Sequence, residues 1–299
     1  MNVFDHIAVI YNPNSTGDAP QMAKELAHQI AKNQKSIGVK ATLTPTRHAK
    51  HAIKLSRTIA KRYKRPLIVS VSGDGGYNEI VNGVMQAKSD KKSCDPVIAV
   101  IGAGNANDHR RVMRDEPLID LIKRGKPKSF DLLIIEAKAK DFTLFRYAHS
   151  YIGFGVTPEV GNELNKRTKS LWSEISMILY TYRKYTPFYI KRNDSEILLD
   201  NLVFANINEM AKFVKLDEEN TVRDGKFEVI ELKHRSKIHM FGTLLKAAVF
   251  GFKNPPSFQI YSFKTIDALP IQLDGEIEKL PKSSEVTVRS IYKGIESLF

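Results

Sequence analysis

Residues 69–84, read VSVSGDGGYNEIVNGV, hold the densest chemistry in the chain. A short apolar run of Leu67, Ile68 and Val69 meets Ser72-Gly73-Asp74-Gly75-Gly76, and a helical pattern with Ile80, Val81 and Val84 on one face follows. Strand, glycine turn and helix let a backbone approach phosphate. Glycine has no Cβ to block the approach, and helix-start N–H groups point at the anion. Asp74 is out of place in such a loop, because a carboxylate repels phosphate; a divalent cation between the two resolves this. The trailing Asn78-Glu79 and Asn82-Gly83 go beyond what a plain turn requires.

Two further loops have a related texture. Tyr11-Asn12-Pro13-Asn14-Ser15-Thr16-Gly17 follows an apolar run and offers hydroxyl and amide donors for phosphate, although alone it reads equally as a turn. Gly102-Ala103-Gly104-Asn105-Ala106-Asn107-Asp108 follows VIAVI and resembles the start of a dinucleotide fingerprint, but Asn107 stands where that motif places its third glycine. Two glycine loops, each with an aspartate, point to a shared phosphate and metal site. Late in the chain Leu273-Asp274-Gly275-Glu276 sets two carboxylates about a glycine; a β-turn explains this equally well in isolation. Arg223-Asp224-Gly225-Lys226-Phe227 reads as an oxygen-ligand loop or a plain turn. The chain has no G-x-S-x-G elbow, no G-x-x-x-x-G-K-[ST] loop and no H-E-x-x-H pair. One cysteine, Cys94, excludes an internal disulfide and a cysteine zinc cluster.

The elements that must position these loops alternate in type. Strands are expected at 6–11, 39–44, 67–71 and 97–101, and helices at 21–35, 49–64 and 78–86. Such alternation predicts a doubly wound parallel sheet covered on both faces, with ligands at the carboxyl ends of the strands, where all three loops fall. Beyond residue 130 the pattern turns to strands, at 130–136, 143–151, 195–208, 226–232, 257–263 and 285–289, interrupted by helical segments at 171–185 and 237–250. A second domain of β-sandwich type is expected there. The division is thus 1–130 for an α/β domain that carries the three glycine loops and 131–299 for a β-rich domain. The extreme C-terminus is a candidate to return to the first domain.

The 299 residues are 42% hydrophobic and 26% charged, as for a globular protein with a full core. No apolar run approaches the roughly 20 residues of a membrane span, and the N-terminus does not read as a signal peptide. A net charge of +13, clustered at 61–65, 166–169, 183–184, 191–192 and 233–237, favours an anionic partner such as a membrane face. No nucleic-acid-binding motif accompanies it.

Asn12-Pro13 to Gly17, GDGGYNEIVNG, GAGNAND, Asp224-Gly225 and Asp274-Gly275-Glu276 occur in the order that resembles the diacylglycerol kinase catalytic family, which includes soluble bacterial lipid kinases. The resemblance covers essentially the whole chain and implies an N-terminal α/β domain like those of NAD kinases and phosphofructokinases, a C-terminal β-sandwich, and a cleft between them for ATP, Mg²⁺ and lipid. It implies nucleotide contacts from Asn12, Ser15, Thr16, Gly73, Asp74, Gly75 and Asn78, with Thr46 a weaker candidate; Pro13, Asn14, Gly76, Glu79, Gly104 and Asn105 fall in the same loops. Asp74 and Asp108 match carboxylates associated with Mg–ATP, and Asp131 matches a third acidic position. Asp274 and Glu276 match the catalytic segment. Asp224, with main-chain oxygens of Thr221 and Lys226, matches a structural Mg²⁺ site. The family usually has threonine where Gly76 and Asn105 stand; Asn105 still donates through its amide, and Gly76 through its backbone N–H.

These matches lead us to expect an ATP-dependent kinase that phosphorylates the diacylglycerol hydroxyl to give phosphatidic acid, with Glu276 or Asp274 taking the hydroxyl proton. Such a protein would be cytoplasmic and peripheral at an anionic membrane surface, with a homodimer left open. Residues 171–185, apolar and basic with Trp172, suit either a surface-lying helix or a core helix. The alternatives are an NAD kinase-like small-molecule kinase and a catalytically weak lipid-binding protein.

Overall fold

The computed structural model describes residues 3–90, 94–105, 107–113, 116–155, 186–207, 209–210, 214–215, 222–236, 242–243, 252 and 255–299. The helices expected at 171–185 and, but for 242–243, at 237–250 lie outside them, as do Thr221 and the basic clusters at 166–169 and 183–184. The chain divides into two compact units: Met1–Leu132 with Tyr292–Phe299, and Leu133–Ile291.

The first unit runs β1 (His6–Tyr11), α1 (Ala19–Lys32), α2 (Gln34–Ile37), β2 (Ala41–Pro45), α3 (His51–Arg62), β3 (Pro66–Ser72), α4 (Asp74–Asp90), β4 (Val97–Gly102), α5 (Asp108–Met113), α6 (Leu118–Arg124) and the start of β5 (Lys128–Ala139). Its strands are parallel in the order β2-β1-β3-β4, and Glu296 and Ser297, near the chain end, pair in parallel beside β4. β3 is buried along its whole length, as a central parallel strand must be. Ile7, Val9, Leu67, Val69, Val97 and Ala99 face α1 and α6 in one apolar cluster. The two-residue period turns Ala8, Ile68 and Ser70 to the other face, where α3 and α4 pack on each other. Helices on both faces make the sheet doubly wound.

The helix expected at 49–64 is trimmed at both ends to His51–Arg62, and the other two expected helices of this unit depart further. The segment 21–35 is two helices, because the Asn33 side chain donates to Gln29 O (2.8 Å) and breaks the first. α4 starts at Asp74 rather than residue 78, with Tyr77 N–H bonded to Gly73 O (3.1 Å), so the glycines form its first turn. Glu79 and Gly83, which trail the glycine loop, dock α4 onto α3. Glu79 is buried, and its carboxylate accepts from Lys50 N–H (2.6 Å) and Ala52 N–H (3.0 Å) at the start of α3. It caps a helix whose own N-cap side chain makes no such bond. At Gly83 an added Cβ would meet Ser56 Oγ at 2.1 Å and Ile53 O at 2.3 Å, so the absent side chain sets the closeness of the two helices.

The second unit is built of strands among the described residues: the remainder of β5, β6 (Phe142–Ala148), β7 (Tyr151–Gly155), β8 (Phe188–Arg192), β9 (Ser195–Ala205), β10 (Glu209–Met210), β11 (Val214–Lys215), β12 (Phe227–Lys233), β13 (Ser257–Phe258), β14 (Ile260–Thr265), β15 (Leu269–Leu273), β16 (Glu276–Leu280) and β17 (Glu285–Ser297). Phe154, Phe204, Phe227 and Phe263 meet edge to face in its core. Apart from the separate pair β10–β11, its strands join in one hydrogen-bonded network, because Ser195–Leu199 of β9 pairs with β8 while its second half pairs with β7 and β12. The fold class is α/β with a C-terminal β domain. The β-turn reading of Asp274-Gly275 holds, whereas the flanking strands β15 and β16 are not among those expected from the sequence.

Gly83→Ala should lower thermal stability by about 1–3 kcal/mol through overpacking, although alanine ordinarily stabilises a helix interior by roughly 1 kcal/mol. Adding Ser56→Ala should not restore it, because the Ile53 carbonyl stays in place; a melting curve at or above that of the native chain would refute this account of the α3–α4 contact.

Candidate active site

In the first unit, the loops after β1, β3 and β4 are tied to one another at the carboxyl edge of the sheet. Asn12 N–H bonds Val71 O (3.2 Å), Ala103 N–H bonds Ser72 O (2.9 Å), and Gly17 N–H bonds Ala103 O (2.8 Å). Thr46 N–H bonds Tyr11 O (2.8 Å), which brings the loop after β2 to the same edge. Gly73 and Gly104 touch backbone to backbone: a Cβ on Gly104 would stand 2.5 Å from Gly73 Cα. Three loops distant in sequence thus form one surface of main chain at the start of α4, a 17-residue helix whose N-terminus carries partial positive charge.

Each loop is braced by its own side chains. Asn12 Oδ1 accepts from Asn14 N–H (3.0 Å), an Asx turn, and Asn12 O accepts from Ser15 N–H (3.1 Å). Pro13, Asn14 and Thr16 are exposed beyond it, with Asn12 and Ser15 half-buried. In the third loop Asn107, at φ +51°, holds Gly104 from both sides, accepting from its N–H (2.8 Å) and donating to its C=O (2.7 Å). Asparagine tolerates this left-handed backbone, so Asn107 does the turning that a glycine would do and adds a brace. Asn105 is exposed beside it.

Asp74 is half-buried in the first turn of α4, and its Oδ2 accepts from Asp108 N–H (3.3 Å). The Asp108 carboxylate is buried and lies 2.9 Å from the Arg111 guanidinium, which compensates its charge. Asp131 is buried in β5 and accepts from Lys293 N–H (2.6 Å). Asn78 turns inward, its carbonyl and side-chain oxygens both taking Asn82 Nδ2 at 2.9 Å. Beside Thr46, His51 Nδ1 accepts from Arg47 N–H (3.1 Å). Lost hydration, and then His48, Arg47 and Lys54, hold His51 below the ordinary imidazole pKa, which keeps that nitrogen an acceptor.

In the second unit, Asp274-Gly275 is a two-residue turn with positive φ at both positions, +47° and +92°, as a tight hairpin demands. The Asp274 carboxylate is fully buried. It accepts from three successive main-chain N–H groups, those of His149 (2.6 Å), Ser150 (3.0 Å) and Tyr151 (2.9 Å). That is an anion nest filled from within the chain. Asn206 Nδ2 donates to His149 O (3.0 Å) and fixes the same turn. His149 also lies between Ser150 Oγ (2.7 Å from Nδ1) and Asp274 Oδ2 (3.4 Å from Nε2). The order resembles a hydrolytic triad, but all three side chains are buried, and their network holds the turn at His149–Tyr151. Glu276, across the hairpin from Leu273, is half-buried. Asp224 is exposed and accepts from Lys226 N–H (2.9 Å) in an Asx turn, with Thr221 outside the described residues.

The sequence reading missed Ser72, Asn107, Arg111, His149 and Asn206. Their types are ordinary, and only spatial neighbours give them roles; the left-handed turn at Asn107 could have been guessed from its place in a glycine loop.

Residues 6–135 match the family model described as "Diacylglycerol kinase catalytic domain". A diacylglycerol kinase of Staphylococcus carnosus is 25% identical over 291 residues, covering 90% of this chain and 87% of the relative. One of Bacillus subtilis is 23% identical over 239 residues, covering 75% and 73%. A crystal structure of a diacylglycerol kinase from Bacillus anthracis superposes with a TM-score of 0.67 at 16% identity, over 99% of this chain and 97% of that one, and so shares the fold. Residues 6–135 thus resemble the catalytic domain of diacylglycerol kinases, and the fold is shared along nearly the whole chain.

Proposed function

We propose that this protein is an ATP-dependent lipid kinase that transfers phosphate to the hydroxyl of diacylglycerol, giving phosphatidic acid. The observation that carries the reading is the knot of three glycine loops at the start of α4 with Asp74 inside it, within the residues that match the diacylglycerol kinase catalytic domain. Phosphoryl transfer needs alignment and charge compensation more than covalent help from the protein. The main-chain N–H groups around Gly73–Gly76, with the loops of Asn12–Thr16 and Gly104–Asn105, hold and orient the triphosphate.

The donor set suits Mg²⁺. Among the described residues no group of three or more His, Cys, Asp or Glu could cage a metal. Mg²⁺ in phosphotransfer sites asks for less, one or two carboxylates with the remaining positions taken by phosphate and water. Asp74 would hold it, with Asp108 fixing Asp74 through its N–H; when bound, the ion offsets charge on the phosphate oxygens. Asp131, the third acidic position of the resemblance, holds the main chain at Lys293. A second, structural Mg²⁺ is proposed at Asp224 and the main-chain oxygens of Thr221 and Lys226.

The two late carboxylates divide their labour. Asp274 is committed to three backbone N–H groups and positions the turn. Glu276, half-buried at the next strand start, takes the proton from the lipid hydroxyl. No helix among the described residues is long and apolar enough to cross a membrane. With a net charge of +13, the protein meets its lipid by lying at an anionic, cytoplasmic membrane face.

Three measurements test these assignments. Radiolabelled ATP offered with dispersed diacylglycerol, another lipid alcohol and NAD should yield labelled phosphatidic acid; label in NAD, or in no product, would refute the proposal. Glu276→Gln should melt like the native chain yet lose about 10²–10⁴-fold in turnover, with ATP affinity little changed. Asp274→Asn should instead unfold at lower urea, losing about 1–3 kcal/mol for each buried N–H left unsatisfied. Equal stability losses in the two variants would erase the distinction.

A further inference from the structure

Ser72 ends β3 one residue before the glycine turn and is almost fully buried. Its hydroxyl lies 3.0 Å from Gly73 O and 2.7 Å from Ser70 Oγ. A carbonyl can only accept, so Ser72 donates to Gly73 O and the Ser70 hydroxyl donates to Ser72. The orientation of this small chain is therefore fixed by its end. Gly73 O also takes Tyr77 N–H at 3.1 Å, and so is held from two directions. In a planar trans peptide the C=O and the following N–H point opposite ways. Holding Gly73 O toward Ser72 and Tyr77 therefore aims Asp74 N–H the other way, out of the start of α4. The main chain of Ser72 is engaged as well, its carbonyl taking Ala103 N–H of the third loop at 2.9 Å.

The space for this hydroxyl comes from Gly76. A Cβ at position 76 would stand 2.5 Å from Ser72 Oγ and 2.7 Å from Ser72 Cβ, closer than real side chains approach. At Gly83 a backbone carbonyl is among the obstructing atoms, whereas both atoms near Gly76 belong to the Ser72 side chain. The two positions therefore share one volume, which either may fill.

We propose that Ser72 is a positioning residue for nucleotide binding. Through its hydroxyl it sets the Gly73–Asp74 peptide and so the direction of the first main-chain donor of the phosphate loop, and Gly76 is its obligate steric partner. This rests on the kinase reading above for the identity of the ligand; the Ser72–Gly76 coupling does not.

The test is a double-mutant cycle of Ser72→Gly and Gly76→Ala with Ser72→Ala beside it, read by melting temperature, by affinity for Mg–ATP in calorimetry, and by kcat and KM for ATP with dispersed diacylglycerol. Gly76→Ala should lower the melting temperature, against the ordinary helix preference for alanine, and adding Ser72→Gly should reverse that loss. Ser72→Ala should weaken Mg–ATP binding about five- to tenfold, with KM for ATP rising more than kcat falls. Independent effects in the cycle would overturn the steric pairing. A Ser72→Ala protein that melts lower but binds Mg–ATP with native affinity would reduce Ser72 to a structural role and overturn its assignment. A native chain that binds no nucleotide would refute the kinase reading and with it the ligand role of Ser72, while the melting data would still decide the pairing.

Discussion

The first unit depends on main chain touching main chain at Gly73 and Gly104. At that contact no side chain intervenes, and the distances leave room for none. Parallel strands bring the two loops to the same edge, the Ala103 N–H ties them together, and hydrogen bonds from Asn12 and Gly17 draw in the loop after β1. A surface of peptide groups is well suited to a polyanion, since its N–H donors keep their directions without the entropy cost of ordering long side chains. The same closeness makes the site sensitive to neighbours that never touch a ligand.

α4 shows how one helix serves two purposes. Its first turn carries Asp74 and the glycines, while its next two turns carry Glu79, Asn82 and Gly83, buried against α3 and within the helix itself. Glu79 gives α3 the N-terminal cap that Lys50 does not supply. The dense polar block that looked wholly chemical is therefore part phosphate cradle and part helix-docking surface. Fixing α4 on α3 also fixes the direction in which its N-terminus points, so the docking half serves the other.

The late Asp-Gly-Glu has a comparable division. Its aspartate lies inside the protein, saturated by three successive N–H groups, and its glycine completes a tight hairpin. An anion nest filled from within the chain costs little desolvation, because each lone pair exchanged for water finds a donor. The glutamate that follows is only half-buried, and differs from its neighbour in environment rather than in chemistry.

From sequence alone, the alternation of strands and helices set the class of the first unit, and the glycine loops were correctly expected at the strand ends. Local periodicity determines such features, since burial of one face needs only the right spacing of apolar residues. The start of α4 was set four residues late, because glycine reads as a breaker until its N–H groups are seen in the first turn. At Asp274 the sequence left a β-turn and a carboxylate motif equally open, because the two share the same letters. What Ser72, Asn107, Glu79 and Asp274 do was decided only by tertiary structure. Their partners, at Gly76, Gly104, Lys50 and His149, lie between 3 and 125 residues away. A polar side chain takes its role from the donor or acceptor the fold places within hydrogen-bond reach, and residue type alone does not carry that placement.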